Sequence, residues 1–503
     1  MTAVTRPMPV PLSGNDRDPG LWRRARGVGH GAVVELTRLR MDELVNAWVA
    51  DRFTPFQIAL LGIFDGSPFQ RPDGTLDVLR IGHELVLRAG HVEALGRRVL
   101  WTRAGEGMPV WVADPSYDPA RHVAATTLPP GADLTDWAAN RIVRLVPMDR
   151  PLWRAEVVDG LPDRRFALIV VVHHVAADGH AGVALAASLL DPAPDTVPGA
   201  APPRAVPPLP SHRDLQRARG RELLAAMRRA RPLSGVGYRR LMALVQQYRD
   251  AAADLRTRPS ETSLPRHVGP TRRLAVVREP LGELRRAGHA LGVTINDLLL
   301  AAVTGGLRRL LSVRGEDVDQ LVLRTSVPAA TGAGHQASGI LLIDLPVAEA
   351  DPLRRLAAVH AATARAKQRR YSGAGDITEA VHLPIPLARL GMRWMRRFGG
   401  TRVNLFVTDV PGPSTPLWLA GARLLEAVPV APLVQHVGFG VAALSYAGEL
   451  AVSVHADGSV TDVGLLADGI EADLAAFRAA ASTAVPAEGR ASGVGSWRRR
   501  TSK

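Results

Sequence analysis

Arg165 to Leu190 reads RFALIVVVHHVAADGHAGVALAASLL, and the fold turns on how this stretch is read. Seven apolar residues in a row, Phe166 to Val172, are too few for a helix of ordinary length and rich in β-branched side chains. They predict a buried strand. The strand runs into His173 and His174. Beyond Val175, Ala176 and Ala177 come Asp178 and Gly179, and the spacing of Val183, Leu185, Ala186, Leu189 and Leu190 predicts a helix. Two histidines therefore stand at the mouth of a rigid strand, with a carboxylate near the start of the helix that follows.

Composition limits what this stretch can belong to. With 503 residues, 46% of them hydrophobic, the chain is long enough for two core-bearing domains. It has no cysteine, which excludes disulfides, thiolate metal sites and cysteine acyl-enzymes together. The first twenty residues carry proline and polar groups where a signal peptide needs an apolar core, and no long uninterrupted apolar run occurs, so the expectation is a cytoplasmic chain. The formal charge of +14 invites an anionic partner: nucleic acid, an anionic membrane or a phosphate-bearing co-substrate. Zinc-finger, RNP-like and basic-zipper patterns are absent from the sequence, which argues against nucleic acid.

Working outward, residues 1–28 read as a flexible arm and 29–195 as a first half. In that half Met41 begins a helix, Thr54-Pro55 breaks it, and Gln57 to Phe64 forms a strand. A helix over Leu79 to Ala89, a hairpin over Arg97 to Val112, a helix over Leu134 to Leu145 and a strand over Arg154 to Val158 follow. Residues 196–265 read as a linker, rich in proline and then basic and helical. Ser211 to Ser260 holds twelve arginines against four acidic residues. Its periodic leucines fit helices packed by one face, or a surface for anionic lipid or a phosphate-bearing substrate.

Residues 266–485 make a second half, and 486–503 a basic tail. Leu281 to Ala290 reads as a helix stopped by Gly292, and Asp297 is placed to cap another helix over Leu298 to Leu311. Strands are expected at Leu321 to Val327, Gly339 to Val347, Asn404 to Thr408, Val437 to Leu444 and Leu450 to His455. Helices are expected at Pro352 to Arg369 and Val463 to Ala480. The mixture points to α/β sheets layered with helices.

An imidazole titrates near pH 6.5, so histidine is the side chain best suited to take a proton from an alcohol at neutral pH and return it. Adjacent strand residues face opposite ways, which allows one base and one supporting histidine. His173, His174, Asp178 and His180 also offer metal ligands, and the pair fits equally well as hydrogen-bonded polar groups at a domain surface. Asp178 can fix the turn, hold an imidazole tautomer or pair with an arginine. Neither a Gly-x-Ser-x-Gly elbow nor a Walker A loop occurs in the sequence.

His173-His174-Val175-Ala176-Ala177-Asp178-Gly179 resembles the His-His-x-x-x-Asp-Gly motif of the CoA-dependent acyltransferase superfamily, which includes chloramphenicol acetyltransferase and peptide-synthetase condensation domains. Pro151-Leu152-Trp153, Asn296-Asp297, Asn404 with Val410-Pro411-Gly412-Pro413, and Ser445-Tyr446-Ala447-Gly448 follow in order over Val33 to Ala480. This set resembles the bacterial wax ester synthase/diacylglycerol acyltransferase family. The resemblance implies an α/β (α+β) fold of two chloramphenicol-acetyltransferase-like domains, each a mixed sheet with helices, and an active-site tunnel between them.

It implies further that His174 is the general base, that His173 supports it, and that Asp178 and Gly179 shape the motif. Pro151, Leu152 and Trp153 would border the substrate pocket, and Asn296, Asp297 and Asn404 would support the second half of the site. The implied reaction joins a fatty acyl group from acyl-CoA, a co-substrate rather than a resident cofactor, to a long-chain alcohol or diacylglycerol. Peripheral association with the inner membrane surface or lipid droplets goes with it; a metal and nucleic acid do not. A specialised-metabolite hydroxyl or amine as acceptor, or a catalytically silent lipid-binding relative, are the alternatives. The chain departs from the family pattern at Arg154, where glutamate is usual, at His335, at Asp409, where asparagine is common, and near the N-terminus, where Asp42 alone remains of a Ser-Pro-x-Asp signature.

Overall fold

The apolar run at the centre of the chain forms the strand Arg165–His173, in which Phe166 to His173 are all buried. Its even-numbered side chains, Phe166, Leu168, Val170 and Val172, enter one apolar cluster. The odd-numbered Ala167, Ile169 and Val171 enter another on the opposite face. A strand covered on both faces has no solvent side to make polar, hence the unbroken run rather than an alternating pattern.

The structure, a computed structural model, describes residues 6–7, 36–199, 206–229, 242, 258–329, 339–371 and 402–484. The first half contributes strands β1 (Arg6–Pro7), β2 (Thr37–Arg38), β3 (Gln57–Asp65), β4 (Arg97–Leu100), β5 (Val110–Ala113), β6 (Val123–Thr127), β7 (Trp153–Asp159) and β8 (Arg165–His173). Its helices are α1 (Met41–Val49), α2 (Val78–His91), α3 (Leu134–Ile142) and α4 (Gly179–Ala187), and α5 (His212–Arg229) lies in the linker. The second half contributes β9 (Arg272–Pro280), β10 (Leu323–Ala329), β11 (Gly339–Leu345), β12 (Leu405–Pro411), β13 (Trp418–Leu419), β14 (Ala422–Val430), β15 (Phe439–Tyr446) and β16 (Glu449–Asp457). Its helices are α6 (Leu281–Leu291), α7 (Ile295–Val313), α8 (Pro352–Tyr371) and α9 (Val463–Ala484).

Two mixed sheets carry the fold, ordered β1-β6-β7-β8-β3-β14-β13 and β11-β10-β12-β15-β16-β9, with β2-β5-β4 as a small third. The α/β class and the two sheet-bearing halves expected from the sequence are present. Strand β8 pairs antiparallel with β3 along its whole length, from Gln57 opposite His173 to Asp65 opposite Arg165. On the other side of β3 lies β14, a strand of the second half inserted into the first half's sheet, with Val428 opposite Leu61. The halves therefore share a sheet.

They also meet where α3 covers the open edge of β9. Asn140 accepts from Arg272 N at 2.9 Å and donates to its carbonyl at 3.0 Å, Asp136 accepts from Leu274 N at 3.1 Å, and Thr135 donates to the Leu274 carbonyl at 3.2 Å. Side chains of one helix thus satisfy a strand edge that would otherwise offer unpaired backbone groups.

Where the elements differ from expectation, local chemistry explains it. Helix α7 starts at Ile295 rather than Leu298, because Thr294 is its N-cap and Asp297 the reciprocal partner three residues on, accepting from Thr294 N at 3.1 Å. Gly292 ends α6 in the left-handed conformation, at φ 69°. Within the arm at residues 1–28, Arg6–Pro7 pair with β6. The rest of the arm, the basic stretch at 243–257, residues 384–398 and the tail lie outside the described residues. Among the described residues no single helix is long and apolar enough to cross a membrane. Helices α6 and α7 together have the length but meet at 97°, and Leu298 to Leu307 of α7 are buried in the second half's core.

Candidate active site

Strand β8, the central strand of the shared sheet, delivers His173 and His174 at its C-terminal end, and the chain then turns through Val175 to Ala177 into α4. Four backbone amides here, those of His173, His174, Val175 and Ala176, have partners. His173 N donates to the Leu152 carbonyl at 2.9 Å, His174 N to the Phe56 carbonyl at 3.1 Å and Ala176 N to the His173 carbonyl at 2.8 Å. Asp178 is the N-cap of α4, its Oδ1 accepting from Ala181 N at 2.9 Å. Capping of this kind is typically worth about 1 kcal/mol. It fixes the start of the helix that follows the turn carrying the histidines.

The two histidines have different environments. His173 is 1% exposed, and its Nδ1 accepts from Val175 N at 3.2 Å, which leaves the ring proton on Nε2. Burial, and after it the neighbouring His174, push its pKa down to about 4. It is a neutral group that ties the turn together. His174 stacks on Phe56 with ring centroids 4.8 Å apart and planes 26° from parallel. Its Nδ1 edge faces Asn46, whose Nδ2 lies 3.3 Å from Nδ1 and 3.5 Å from the His174 carbonyl oxygen. Burial pushes the pKa of His174 below the ordinary imidazole value, opposed by a hydrogen bond to its own carbonyl and by the carboxylates of Asp178 and Asp42. A lowered pKa keeps the ring neutral at pH 7, as a proton acceptor must be.

Phe56 occupies the left-handed region at φ 49°, a strained conformation for a residue with a side chain. Two attachments hold it, its carbonyl on His174 and its ring on the imidazole, and the guanidinium of Arg272 binds the Phe53 carbonyl three residues earlier in the same loop. Arg272 belongs to β9, so the second half helps to place the loop against which His174 packs.

The second half approaches the motif again at Gly179. A Cβ built on Gly179 would lie 3.2 Å from Cγ2 of Val410 in β12, tighter than ordinary contact, which makes glycine the residue for this close approach. Gly182, one turn on, is more constrained: its Cβ would fall 2.1 Å from Cδ1 of Ile58 in β3. Beside Val410, burial pushes Asp409 up, opposed by the charge of His180. Asp409 is thereby biased toward its neutral form, the acidic counterpart of the asparagine usual at this place.

The other expected site residues sit in supporting positions. Leu152 and Trp153 are each 2% exposed, within the packed interior. Leu152 packs with Val175, the residue after His174, and Trp153 donates its indole N–H to the Leu95 carbonyl at 2.8 Å and stacks on His122. Asn404 joins β10 to β12, accepting from Arg324 N at 2.8 Å and donating to the Ser260 carbonyl at 3.2 Å. Asp297 is bonded to Thr294 and lies 3.0 Å from His360 Nδ1. The hydrogen bonds of Trp153, Asn404 and Asp297 thus run to their own surroundings. Arg154 pairs with buried Glu156 at 2.5 Å and donates to the Arg144 carbonyl near the end of α3 at 3.3 Å. Its substitution for glutamate is accounted for by that contact. His335 lies outside the described residues.

Sequence reasoning missed Asn46 and Phe56. Asparagine inside a helix is a poor helix former, and Phe56 follows the Thr54-Pro55 break. Both are weak signals alone. Among the described residues no three His, Cys, Asp or Glu side chains converge as a metal site would require.

A histidine-bearing turn thus stands at the seam of two sheet-bearing halves, one lending a strand to the other. A wax ester synthase/diacylglycerol acyltransferase from Marinobacter aquaeolei VT8 superposes with a TM-score of 0.62 at 22% identity, covering 89% of this chain and 100% of that one. The first condensation domain of the CDA synthetase gives 0.51 at 17% identity, covering 88% and 96%. Both likenesses establish the fold. Residues 47–299 match the wax ester synthase/diacylglycerol acyltransferase catalytic domain, and 337–478 match the C-terminal domain of the same family. The Mycobacterium tuberculosis H37Rv protein named "Probable diacylglycerol O-acyltransferase tgs1" is 30% identical over 433 residues, covering 84% of this chain and 91% of its own length. The chain belongs to the wax ester synthase/diacylglycerol acyltransferase family and is an acyltransferase of lipid metabolism.

Proposed function

We propose that this chain transfers a fatty acyl group from acyl-CoA to a lipid hydroxyl, that of diacylglycerol or a long-chain alcohol, with His174 as general base and no covalent enzyme intermediate. The observation that carries the reading is the state of His174: an imidazole stacked on Phe56, held below its ordinary pKa by burial, beside the point where the second half closes on the motif at Gly179. Nε2 takes the hydroxyl proton as the alcohol oxygen attacks the thioester carbon. The carbon–sulfur bond then breaks, and the imidazolium returns the proton to the departing thiolate, leaving an ester and free CoA. The choice of acceptor rests on the family and on the name of the mycobacterial relative.

Association with an anionic lipid surface belongs to the same proposal. Helix α5 carries Arg213, Arg217, Arg219, Arg221 and Arg228, and its Leu223, Leu224 and Met227 are 45%, 45% and 65% exposed. Cationic and apolar groups exposed together suit a headgroup boundary on the cytoplasmic side or on a lipid droplet.

The test is release of CoA from palmitoyl-CoA by the purified full chain, with and without dioleoylglycerol or hexadecanol, with products identified by mass spectrometry. Acceptor-dependent release that His174→Ala abolishes is the expected result. Unchanged turnover in that variant would remove His174 as the base, and thioester turnover without ester would remove the acceptor class.

A further inference from the structure

We propose that Arg272 is a positioning residue for the transfer reaction: from the second half it tethers the loop that carries Phe56, and through the Phe56 ring it holds the plane of His174. The inference rests on His174 being the base and adds to its machinery a residue from the other half of the chain.

Arg272 opens β9, and its backbone is fixed on both sides. It stands opposite Asp457 in the ladder with β16, and its N–H and carbonyl are both bonded to Asn140 of α3. The residue is 3% exposed. Its guanidinium donates to the carbonyls of Gly269 at 2.7 Å and Thr271 at 2.8 Å on its own side of the seam, and to the Phe53 carbonyl on the other. Asp457 lies 3.8 Å away as counter-charge. A planar fork of five donors can hold carbonyls in several directions at once, so the loop is referred to a rigid strand of the second half.

The tethered loop is short and stiff. Asp51 accepts from Phe53 N and Thr54 N at 2.8 Å each, and its own N–H donates to the Thr54 carbonyl at 3.0 Å, so a closed turn presents the Phe53 carbonyl. Pro55 fixes its own φ, and Gln57 begins β3. Phe56 is thus suspended between an anchor at Phe53 and the ladder at Gln57, in the left-handed region at φ 49°. Strain of this kind persists only while the surroundings enforce it. Packing does not enforce it fully here, because a small cavity separates Pro55, Phe56 and Gln57 from Arg272, Leu433 and His455. The Arg272 guanidinium, which lines that cavity, spans the gap that packing leaves.

Phe56 passes the constraint on. Its ring stacks on the imidazole with centroids 4.8 Å apart, and its carbonyl accepts from His174 N at 3.1 Å. A loop that relaxes toward the cavity therefore tilts the base and opens it to water. The other groups around the ring are Asp42, paired with Arg40, and Asn46 on α1, Asp178 at the start of α4, and His173 beside it in the chain. The path from Arg272 to the ring runs through the loop.

The experiment compares the full-length wild type with Arg272→Met, Phe56→Leu, the double variant and His174→Ala, each checked for folding by urea unfolding. It uses palmitoyl-CoA and dioleoylglycerol, with kcat, KM and the pH profile of kcat/KM as readouts. Arg272→Met should lower kcat about tenfold and leave KM within about twofold, the signature of a displaced base rather than of lost substrate contacts. The acid limb of kcat/KM should move to higher pH, because a less buried imidazole regains its ordinary pKa. In the Phe56→Leu background the Arg272 change should cost less than about twofold more, since the ring it positions is gone. A wild-type kcat with an unmoved acid limb in Arg272→Met overturns the proposal. So does a full further loss on top of Phe56→Leu, because Arg272 would then act by another route. Should Arg272→Met fail to fold, Arg272→Lys, which keeps the charge beside Asp457 and gives up the fork, carries the same comparisons. Activity surviving in His174→Ala removes the base assignment itself, an outcome separate from these, while the cycle between Arg272 and Phe56 still reports whether the tether acts through the ring.

Discussion

Acidification from pH 7 to pH 5 should destabilise this fold in part through two deeply buried histidines, His173 and His455, and His455→Asn should remove the contribution of one of them. His455 is 1% exposed, its Nδ1 donates to the Ala431 carbonyl at 2.6 Å, and its Nε2 has no partner among the described residues. Burial, and next the guanidinium of Arg272, push its pKa down to about 3, while burial holds His173 at about 4. In the unfolded chain both titrate near 6.5. Below that pH the unfolded state binds more protons, so stability falls as the pH falls, until the folded pKa values are reached. One pH unit corresponds to about 1.4 kcal/mol per group, so the descent from 6.5 to 5 costs about 2 kcal/mol for each histidine and about 4 kcal/mol for the pair. Asparagine at 455 preserves a donor for the Ala431 carbonyl and cannot be protonated. Its starting stability will be lower, but its loss between pH 7 and pH 5 should be smaller than the wild type's by about 2 kcal/mol. Urea unfolding followed by tryptophan fluorescence at the two pH values measures both losses, and carboxylates common to the two proteins cancel in the comparison. Equal losses in wild type and variant would refute the argument that His455 is folded neutral.

Two other perturbations act on the framework around the motif. Gly182→Ala drives a methyl to within 2.1 Å of the Ile58 side chain, and the shift of α4 against β3 should cost about 1–3 kcal/mol and lower kcat, read by thermal melting and turnover together. Arg88 forms a buried ion pair with Asp191 at 2.6 Å and a second pair with Glu84 at 2.6 Å, and Asp191 also accepts from Ala420 N at 3.0 Å next to β13; Asp191→Asn, which leaves Glu84 as the one carboxylate on the guanidinium, should cost about 1–3 kcal/mol in urea unfolding.

How much of this was legible in the sequence depended on whether a residue's partners were near it in the chain. The run Phe166 to Val172 announced a strand because cover on both faces leaves an unbroken apolar pattern. The break at Thr54-Pro55 and the stop at Gly292 were legible because proline and glycine act on their own backbone. Strand β14 was not, although its burial in the structure is plain, alternating over Ala422 to Leu425 and unbroken over Ala427 to Val430. Interrupted by Pro429 and Glu426, it gains its place by pairing with β3, more than 350 residues earlier. Strand β9 escaped for a similar reason: its sequence, RRLAVVREP, opens and closes with charges, and α3 supplies the partners for its outer edge.

The site divides along the same line. His173, His174, Asp178 and Gly179 stand together because a strand, a turn and a helix cap are consecutive in the chain. Asn46 and Phe56 reach the imidazole only through tertiary packing, and the whole sheet stands behind that contact. Gln57 pairs opposite His173, so the register of β3 on β8 fixes where Phe56 falls, one residue before the ladder begins. A slip of one residue would turn the Gln57 side chain to the other face. Gln57 resists it by donating to the Ile142 carbonyl at 2.7 Å and accepting from Val146 N at 2.5 Å. The position of the ring that stacks on His174 is thus set by a buried amide on the neighbouring residue, and disturbing Gln57 should act on turnover through Phe56 even though its own side chain binds the end of α3.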